Sequence, residues 1–376
     1  MPKTVKTKVT YIISGVHKAL AFEWIPKELN KEEIELSFIL LNPAPSYLYE
    51  FLTKNNIEAY ELEYHGKRNV LQVFRKVMSL LKKIKCDIVH THLVDANLIG
   101  LTAAKLLGIK KRIYSRHNST YHRRYSKKGV WLDKLNIFLS TDILSISKNV
   151  TEVLTKFDGA PASKIHLIYH GFDLEKFKNP NKSDVIELAQ KFNGSQKRPV
   201  VGVISRYMHW KGLQYIIPAF ALLLEKHPNA LLVVAGSGSG DYSAEIKSLL
   251  SELPSGSYIE TGFVENLYAL YPLFDVFVHT PIDPYLEAFG QIYIESLISG
   301  IPSVLTLSGI GREILKDREN CLEVDFCDSH SIVRAINEIL SDNELKEKII
   351  TGGRQTIDSR FELNTMIMSL EKLYLN

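Results

Sequence analysis

Two doubly wound α/β domains, each a parallel sheet with helices over both faces, are the expected architecture, and three features of the sequence carry that expectation. The chain has 376 residues, more than one ordinary hydrophobic core organises and about right for two. Short β-branched or apolar runs alternate with amphipathic helical patterns, which is how buried parallel strands and their crossover helices read. The rhythm then stops at a polar stretch, Asn179 to Arg198, and starts again.

In the first half the runs are Val9 to Ile13, Leu36 to Leu41, Asp87 to His90, Arg112 to Ser115, Ile143 to Ile146 and Ile165 to Tyr169. In the second they are Val200 to Ile204, Leu231 to Ala235, Val276 to Val278 and Ser303 to Leu305. This spacing places a first domain over residues 1–180, a linker over 181–198 and a second domain over 199–355. The tail, 356–376, is helical in pattern with no strand to accompany it, and is expected to pack across the domain junction.

Hydrophobic residues make up 45% of the chain and charged residues 23%, as in soluble globular proteins. No run of 18 apolar residues occurs, and the lysine-bearing start, Met1 to Thr10, has no apolar segment with a cleavage site behind it, so neither a membrane span nor secretion is expected. Cys86, Cys321 and Cys327 match no zinc or redox spacing, which fits a reducing cytoplasm. The net charge of +4 hides an asymmetry: residues 1–180 hold 29 Lys and Arg against 17 Asp and Glu, and residues 181–376 hold 17 against 25. A basic first domain faces something anionic, for which a membrane surface, a phosphate-bearing acceptor and nucleic acid are the candidates.

In an open parallel sheet, ligands bind beyond the carboxyl ends of the strands, where glycine turns let helix N-termini approach them. The strongest such element is EAFGQIYIE, residues 287–295, which leads from the strand ending near Thr280 into a helix closed by Gly300-Ile301-Pro302. Gly290 lets neighbouring amides approach a phosphate at that helix N-terminus. Glu287, before the first turn, is suited to a sugar hydroxyl, and Glu295, about two turns inside, to a pair of ribose hydroxyls. Taken alone, two glutamates at this spacing also describe a solvated helix. The second element is Ser205-Arg206 followed by Lys211-Gly212, two cations where a strand yields to a helix. A departing nucleoside diphosphate needs such charge, from Arg206 as a planar fork and Lys211 as a point charge. No metal-binding Asp-x-Asp occurs, so no metal and no cofactor beyond the donor itself is expected.

From about Pro199 to Glu313 these elements stand in the order of a known family: Arg206-x4-Lys211-Gly212, Ala235-Gly236-Ser237-Gly238, Thr261-Gly262-Phe263-Val264, the Glu-x7-Glu motif, Gly300-Ile301-Pro302 and the turn Ser308 to Glu313. The chain resembles the family 4 glycosyltransferases, retaining enzymes of the GT-B fold, in which two Rossmann-like doubly wound parallel-sheet domains face a central cleft. The resemblance implies that Arg206 and Lys211 hold the donor diphosphate, that Glu287 contacts the transferred sugar, and that Glu295 binds the ribose. Phe289, Gly290 and Gln291 would border the donor, with the 309–311 turn facing the sugar and pyrophosphate. In the first half, Ser14-Gly15-Val16 stands where the family has a glycine-rich loop near the donor phosphates, and Arg116-His117-Asn118 where it commonly has a histidine near the reacting sugar. Gly15 and His117 are therefore site candidates. Three departures bear on substrate choice: Ser-Gly-Val-His in place of a double glycine, Gln291 at a usually aliphatic position, and His170-Gly171-Phe172-Asp173 before the linker. The implied activity is retaining transfer from a UDP- or GDP-sugar to a glycan or lipid-linked acceptor in cell-surface polysaccharide or lipopolysaccharide synthesis.

A basic run, His122-Arg123-Arg124 through Lys127-Lys128, is interleaved with Tyr121, Tyr125 and Trp131. Arg123, Arg124, Lys127 and Lys128 are expected to meet a phosphate-bearing lipid acceptor or an anionic bilayer, which would make the protein peripheral on the inner face of the membrane. His90-x-His92 has no third ligand in view and reads as loop packing. Three other functions compete: a nucleotide-sugar epimerase of the same fold, a nicotinamide-dependent dehydrogenase suggested by Gly236 to Gly240, and a nucleic-acid binder. Asp241 stands where the dinucleotide fingerprint needs its third glycine, and no nucleic-acid module is present.

Overall fold

The computed structural model describes residues 6–376, which form two compact units. The first holds the described residues up to Gly171 together with Glu362–Asn376, and the second holds Phe172–Phe361.

The first unit is built on seven strands: β1 (Thr7–Ser14), β2 (Ile34–Asn42), β3 (Glu58–Glu63), β4 (Ile88–His92), β5 (Lys111–Arg116), β6 (Asp142–Ser145) and β7 (Ile165–Leu167). They lie in the order β3-β2-β1-β4-β5-β6-β7, all parallel. Val9, Ile12 and Ile39 are fully buried because helices cover both faces, which is why these strands read as continuous apolar runs. The second unit has six strands: β8 (Val200–Ile204), β9 (Leu231–Ala235), β10 (Tyr258–Gly262), β11 (Val276–His279), β12 (Ser303–Leu305) and β13 (Leu322–Glu323). Their order, β10-β9-β8-β11-β12-β13, is again wholly parallel. In each sheet the chain reverses its direction of winding at the first strand, between β1 and β4 in one and between β8 and β11 in the other. Those two switch points are where an open parallel sheet leaves a crevice at its carboxyl edge.

Three strands were not foreseen, β3, β10 and β13, and all three are sheet edges. Edge strands keep contact with water, so the sequence Glu-Ala-Tyr-Glu-Leu-Glu of β3 lacks the uninterrupted apolar character of an interior strand. Residues 181–198, read above as a linker, contain the helix Lys182–Asn193. Asn181 caps it by accepting from the Ser183 amide at 3.0 Å, and Asn266 of the second unit donates to Asp184 at 2.7 Å. The tail helix, Leu363–Leu375, packs on the first unit. Its Tyr374 hydroxyl lies 2.5 Å from the Tyr11 hydroxyl and 2.8 Å from His90 Nδ1, both beneath the sheet surface. No helix among the described residues is long and apolar enough to cross a membrane.

Replacing Tyr374 by Phe would leave the Tyr11 hydroxyl and the His90 ring buried without this partner, and a stranded buried polar group costs about 1–3 kcal/mol. Urea denaturation of Tyr374→Phe should show a loss of that size, and a midpoint unchanged from the parent would show that the hydroxyl contributes nothing.

Candidate functional site

In the second unit the chain leaves β8 through Ser205 and Arg206, makes the short turn His209–Lys211, and enters the helix Leu213–Lys226. Gly212 joins turn to helix with φ +82°, and a Cβ there would sit 2.0 Å from the Thr280 carbonyl oxygen. The start of this helix is thus pressed against the end of β11, and only glycine fits. That contact carries Lys211 to the loop following β11, where its Nζ donates to Glu287 Oε1. His279, the last residue of β11, reaches the same oxygen through Nε2 at 3.2 Å.

The loop bearing Glu287 is held by the turn after β12. The Glu287 amide donates to Ser308 Oγ at 3.3 Å, and Ser308 Oγ donates to the Asp283 carbonyl at 2.8 Å. The Ile310 amide donates to the Phe289 carbonyl at 2.7 Å. Gly309 closes the latch, because a Cβ at that position would lie 2.5 Å from the Phe289 oxygen and 2.8 Å from Glu287 Cβ. Gly290 then adopts φ +85° and starts the helix Gln291–Ser299, whose first amides have no intrahelical acceptors. Gln291 is exposed at this start. The Phe289 ring, by contrast, is packed inward between Phe172 and Phe361 at centroid distances of 6.2 and 6.4 Å, so its side chain belongs to the core and only its backbone borders the turn.

Burial opposes ionisation of Glu287, but the Lys211 charge and the His279 hydrogen bond outweigh it and hold the carboxyl at about pKa 2. His279 is pushed down to about 4 by burial, so at neutral pH it is a neutral donor to an ionised Glu287. Glu295 is the opposite case. It lies in the second turn of its helix, accepts a 2.8 Å bond from the Tyr271 hydroxyl on Oε2, and is pushed up to about 7 by burial, against which the Tyr271 bond works. Arg206 is exposed and makes no ion pair among the described residues.

In the first unit, Gly15 ends β1 with φ +65°, and its amide donates to the Leu41 carbonyl at 3.0 Å. It borders a cavity of about 380 Å³ with Tyr64, His65, Leu93 and Asp95. Leu93 has φ +73° and ψ 163°, a conformation almost reserved for glycine, at the switch point beside β1. His117 follows β5, places Nε2 3.1 Å from His92 Nδ1 and stacks on His170 at 6.0 Å. Burial pushes it down to about 4, so it is neutral at pH 7. His90 and His92 sit within β4, not in a loop. His90 uses one ring nitrogen toward Tyr374 and the other toward Ser115 Oγ at 2.7 Å, which accounts for it as a structural residue. Arg123 is exposed, and its guanidinium is bonded to Asp158 at 2.9 and 3.1 Å and to the Phe157 carbonyl. Arg124, Lys127 and Lys128 are exposed.

Of the expected residues, then, the structure joins Lys211 directly to Glu287. It adds two that the sequence reading missed, His279 and Tyr271. His279 had a signal, a polar residue ending an otherwise apolar strand, Val-Phe-Val-His, at the edge where ligands bind. Tyr271 had none, since its partner Glu295 is 24 residues away and meets it only in the fold.

Lys211→Met should cost about 3–5 kcal/mol in chemical denaturation, because it leaves Glu287 buried without its cation, and adding Glu287→Gln should restore part of that loss. The pH signature has a definite sign. With the folded pKa near 2 against 4.5 for the free group, the contribution is complete above pH 4.5 and disappears as pH falls toward 2. Glu287→Gln should flatten stability over that window, and an unchanged acid limb would remove Glu287 from the account.

Two family models match the chain: Glycosyltransferase Family 4 over residues 27–176 and Glycosyl transferases group 1 over residues 184–356. The capsular polysaccharide biosynthesis glycosyltransferase CapM of Staphylococcus aureus is 24% identical over 86% of this chain and 91% of its own length. The UDP-Gal:alpha-D-GlcNAc-diphosphoundecaprenol alpha-1,3-galactosyltransferase of Escherichia coli is 23% identical over 97% of this chain and 94% of its own. Among solved structures, Anabaena HepE in complex with UDP-glucose superposes with a TM-score of 0.83 at 20% identity, covering 98% of this chain and all of HepE. That likeness, with the two parallel sheets, establishes the GT-B fold. The matches favour sugar transfer over the epimerase, dehydrogenase and nucleic-acid readings.

Proposed function

The chain is a group 1 glycosyltransferase of family 4, and we propose that it moves a sugar from a nucleoside-diphosphate donor to a glycan or lipid-linked acceptor with retention at the anomeric carbon. The observation that carries this reading is the ionised Glu287 clamped by Lys211 and His279 at the carboxyl edge of the second sheet. A fixed negative charge with a shared cation suits a site that must hold a neutral sugar and a departing anion side by side.

In this reading Lys211 divides its charge between Glu287 and the donor diphosphate, and Arg206 supplies the second cation. The amides around Gly290 and Gln291 meet a phosphate at the helix start. Glu287 accepts from a hydroxyl of the transferred sugar, and Glu295 accepts from the ribose hydroxyls through Oε1. From the first domain, His117 and Gly15 are assigned to the donor. The bond from the anomeric carbon to the phosphate oxygen breaks with oxocarbenium character, and its electron pair leaves with the nucleoside diphosphate. The acceptor hydroxyl attacks from the same face and its proton passes to the departing phosphate oxygen, so no side-chain nucleophile is required. Stabilising the developing charge on the leaving group is where Arg206 and Lys211 act.

The UDP named for the Escherichia coli relative's donor and the UDP-glucose bound to HepE support UDP over GDP. The name of CapM supports capsular polysaccharide synthesis as the setting, and that of the Escherichia coli enzyme supports an acceptor carried on a lipid diphosphate. Incubation with a panel of UDP- and GDP-sugars and diphosphate-lipid acceptors, followed by product analysis, should give a glycoside with the donor's anomeric configuration. Release of free sugar alone, with no glycoside under any acceptor, would overturn transfer.

Arg206 offers the cleanest single test because nothing in the fold depends on it. Arg206→Ala should keep the parent's denaturation midpoint while turnover falls roughly 10²–10³-fold, and a parental turnover would remove it from the diphosphate site. Glu295 predicts a pH effect on binding. Ribose hydroxyls prefer the carboxylate, and burial holds the Glu295 carboxyl at about 7, so nucleoside diphosphate binding must expel a proton below that pH. Affinity by calorimetry should rise up to about tenfold per pH unit toward 7 and level off above 8, and Glu295→Gln should weaken binding and abolish the slope. A slope that survives in Glu295→Gln would assign the proton to another group.

A further inference from the structure

The helix Lys127–Leu139 is inverted relative to an ordinary surface helix. Its buried side carries Gly129, Asp133, Asn136 and Ile137, whereas its outward side carries Lys127, Lys128, Trp131, Lys134, Leu135 and Phe138. Trp131 is 75% exposed and Phe138 67%. Positions 127, 128, 131, 134, 135 and 138 fall on one stripe at helical spacing, so the exposed apolar residues are a continuous face rather than scattered side chains.

The cause lies underneath. Arg116 is buried and bonded to Asp133 at 2.6 Å and Asp158 at 3.0 Å, and Asp133 also accepts from His122 at 2.8 Å. Asp133 must face inward to neutralise Arg116, and that rotation fixes Trp131, Leu135 and Phe138 facing outward. Gly129 permits the close approach, since a Cβ there would lie 2.5 Å from the His122 ring. The neighbouring helix Val94–Leu106 extends the surface with Leu106, 67% exposed, and sets Lys105 Nζ 4.0 Å from the Phe138 ring centroid. Lys134 lies 5.9 Å from the Trp131 ring. The only acid in the 127–139 helix is the buried Asp133, so the outward face is apolar and wholly cationic.

We propose that this face, Trp131, Leu135, Phe138 and Leu106 rimmed by Lys105, Lys127, Lys128 and Lys134, docks the protein on an anionic lipid bilayer. Aromatic side chains enter the interface while lysines beside them meet the headgroup charge, which is the composition of a helix lying in the membrane plane. A second copy fits poorly, because a two-fold contact would set each lysine rim against its equivalent. The docking rests on the reading that the acceptor is carried on a lipid, and it replaces Arg123, held by Asp158, with the helix face that follows it.

Full-length protein should co-sediment with phosphatidylcholine vesicles containing phosphatidylglycerol, weakly with phosphatidylcholine alone, and less as salt is raised. Trp131 emission should shift blue on binding, a change absent from Trp131→Phe. Lys127→Glu/Lys128→Glu/Lys134→Glu should lower partitioning at least about a hundredfold, at roughly fivefold per charge, and Leu135→Ser/Phe138→Ser should abolish it. Nucleoside diphosphate binding in these variants should equal the parent's, which confirms their fold and separates this test from the donor site. Loss of vesicle binding with intact nucleotide binding in the parent would overturn the docking alone. Concentration-dependent dimers that vanish in Leu135→Ser/Phe138→Ser, without any vesicle binding, would overturn it in favour of a second copy.

Discussion

A carboxylate removed from water has to be neutralised where it lies, and the second domain is organised around that requirement at Glu287. Lys211 arrives from the turn after β8, His279 from the end of β11, and the loop itself is tied to the turn after β12. Three separate segments meet at one carboxylate and its backbone, so the charged edge of the sheet is tied from three directions. Two glycines make this possible by removing side chains where backbones touch: Gly212 against Thr280 and Gly309 against Phe289. The same physics run in reverse at Glu295, where burial without a cation leaves the carboxyl close to half-ionised at neutral pH. Two glutamates eight residues apart thus have opposite protonation behaviour because only one has a positive neighbour.

The first domain solves a related problem differently. Its buried charge is Arg116, countered by Asp133 and Asp158, and the demand is met by turning a helix so that its acid faces inward. The cost is an outward face of Trp, Leu and Phe that water does not favour. A stability requirement inside the domain and an adhesive surface outside it are therefore two sides of one helix.

Much of this was legible in the sequence, and what was not has a physical reason. Every interior strand announced itself as a largely apolar run, because burial on both faces admits a polar side chain only where it finds a partner, as His90 does. The edge strands β3, β10 and β13 escaped because one of their flanks is solvated and their composition follows suit. At the second sheet, the meeting of Lys211 and Glu287 was approachable from the sequence because both stand in strand-end turns, where an open parallel sheet binds its ligands. The ring of Phe289 was not, since the motif that contains it does not say which of its residues points into the core. Arg123 looked like a surface cation in a run of cations, and only the fold shows Asp158 of a distant turn holding it. Spacing reports periodicity along one element, whereas partners contributed from elsewhere have no trace in it.

The tyrosine that joins the tail helix to β1 has a bearing on how the molecule comes into being. Domains usually fold in the order of their synthesis. Here the His90 and Tyr11 side chains of the first domain wait for Tyr374, and all of residues 172–361 are made in between. On the ribosome the second domain has every part it needs before the first does. A nascent chain stalled anywhere short of that tyrosine carries the first domain with an open seam in its interior, and the helix that closes it emerges only after the second domain.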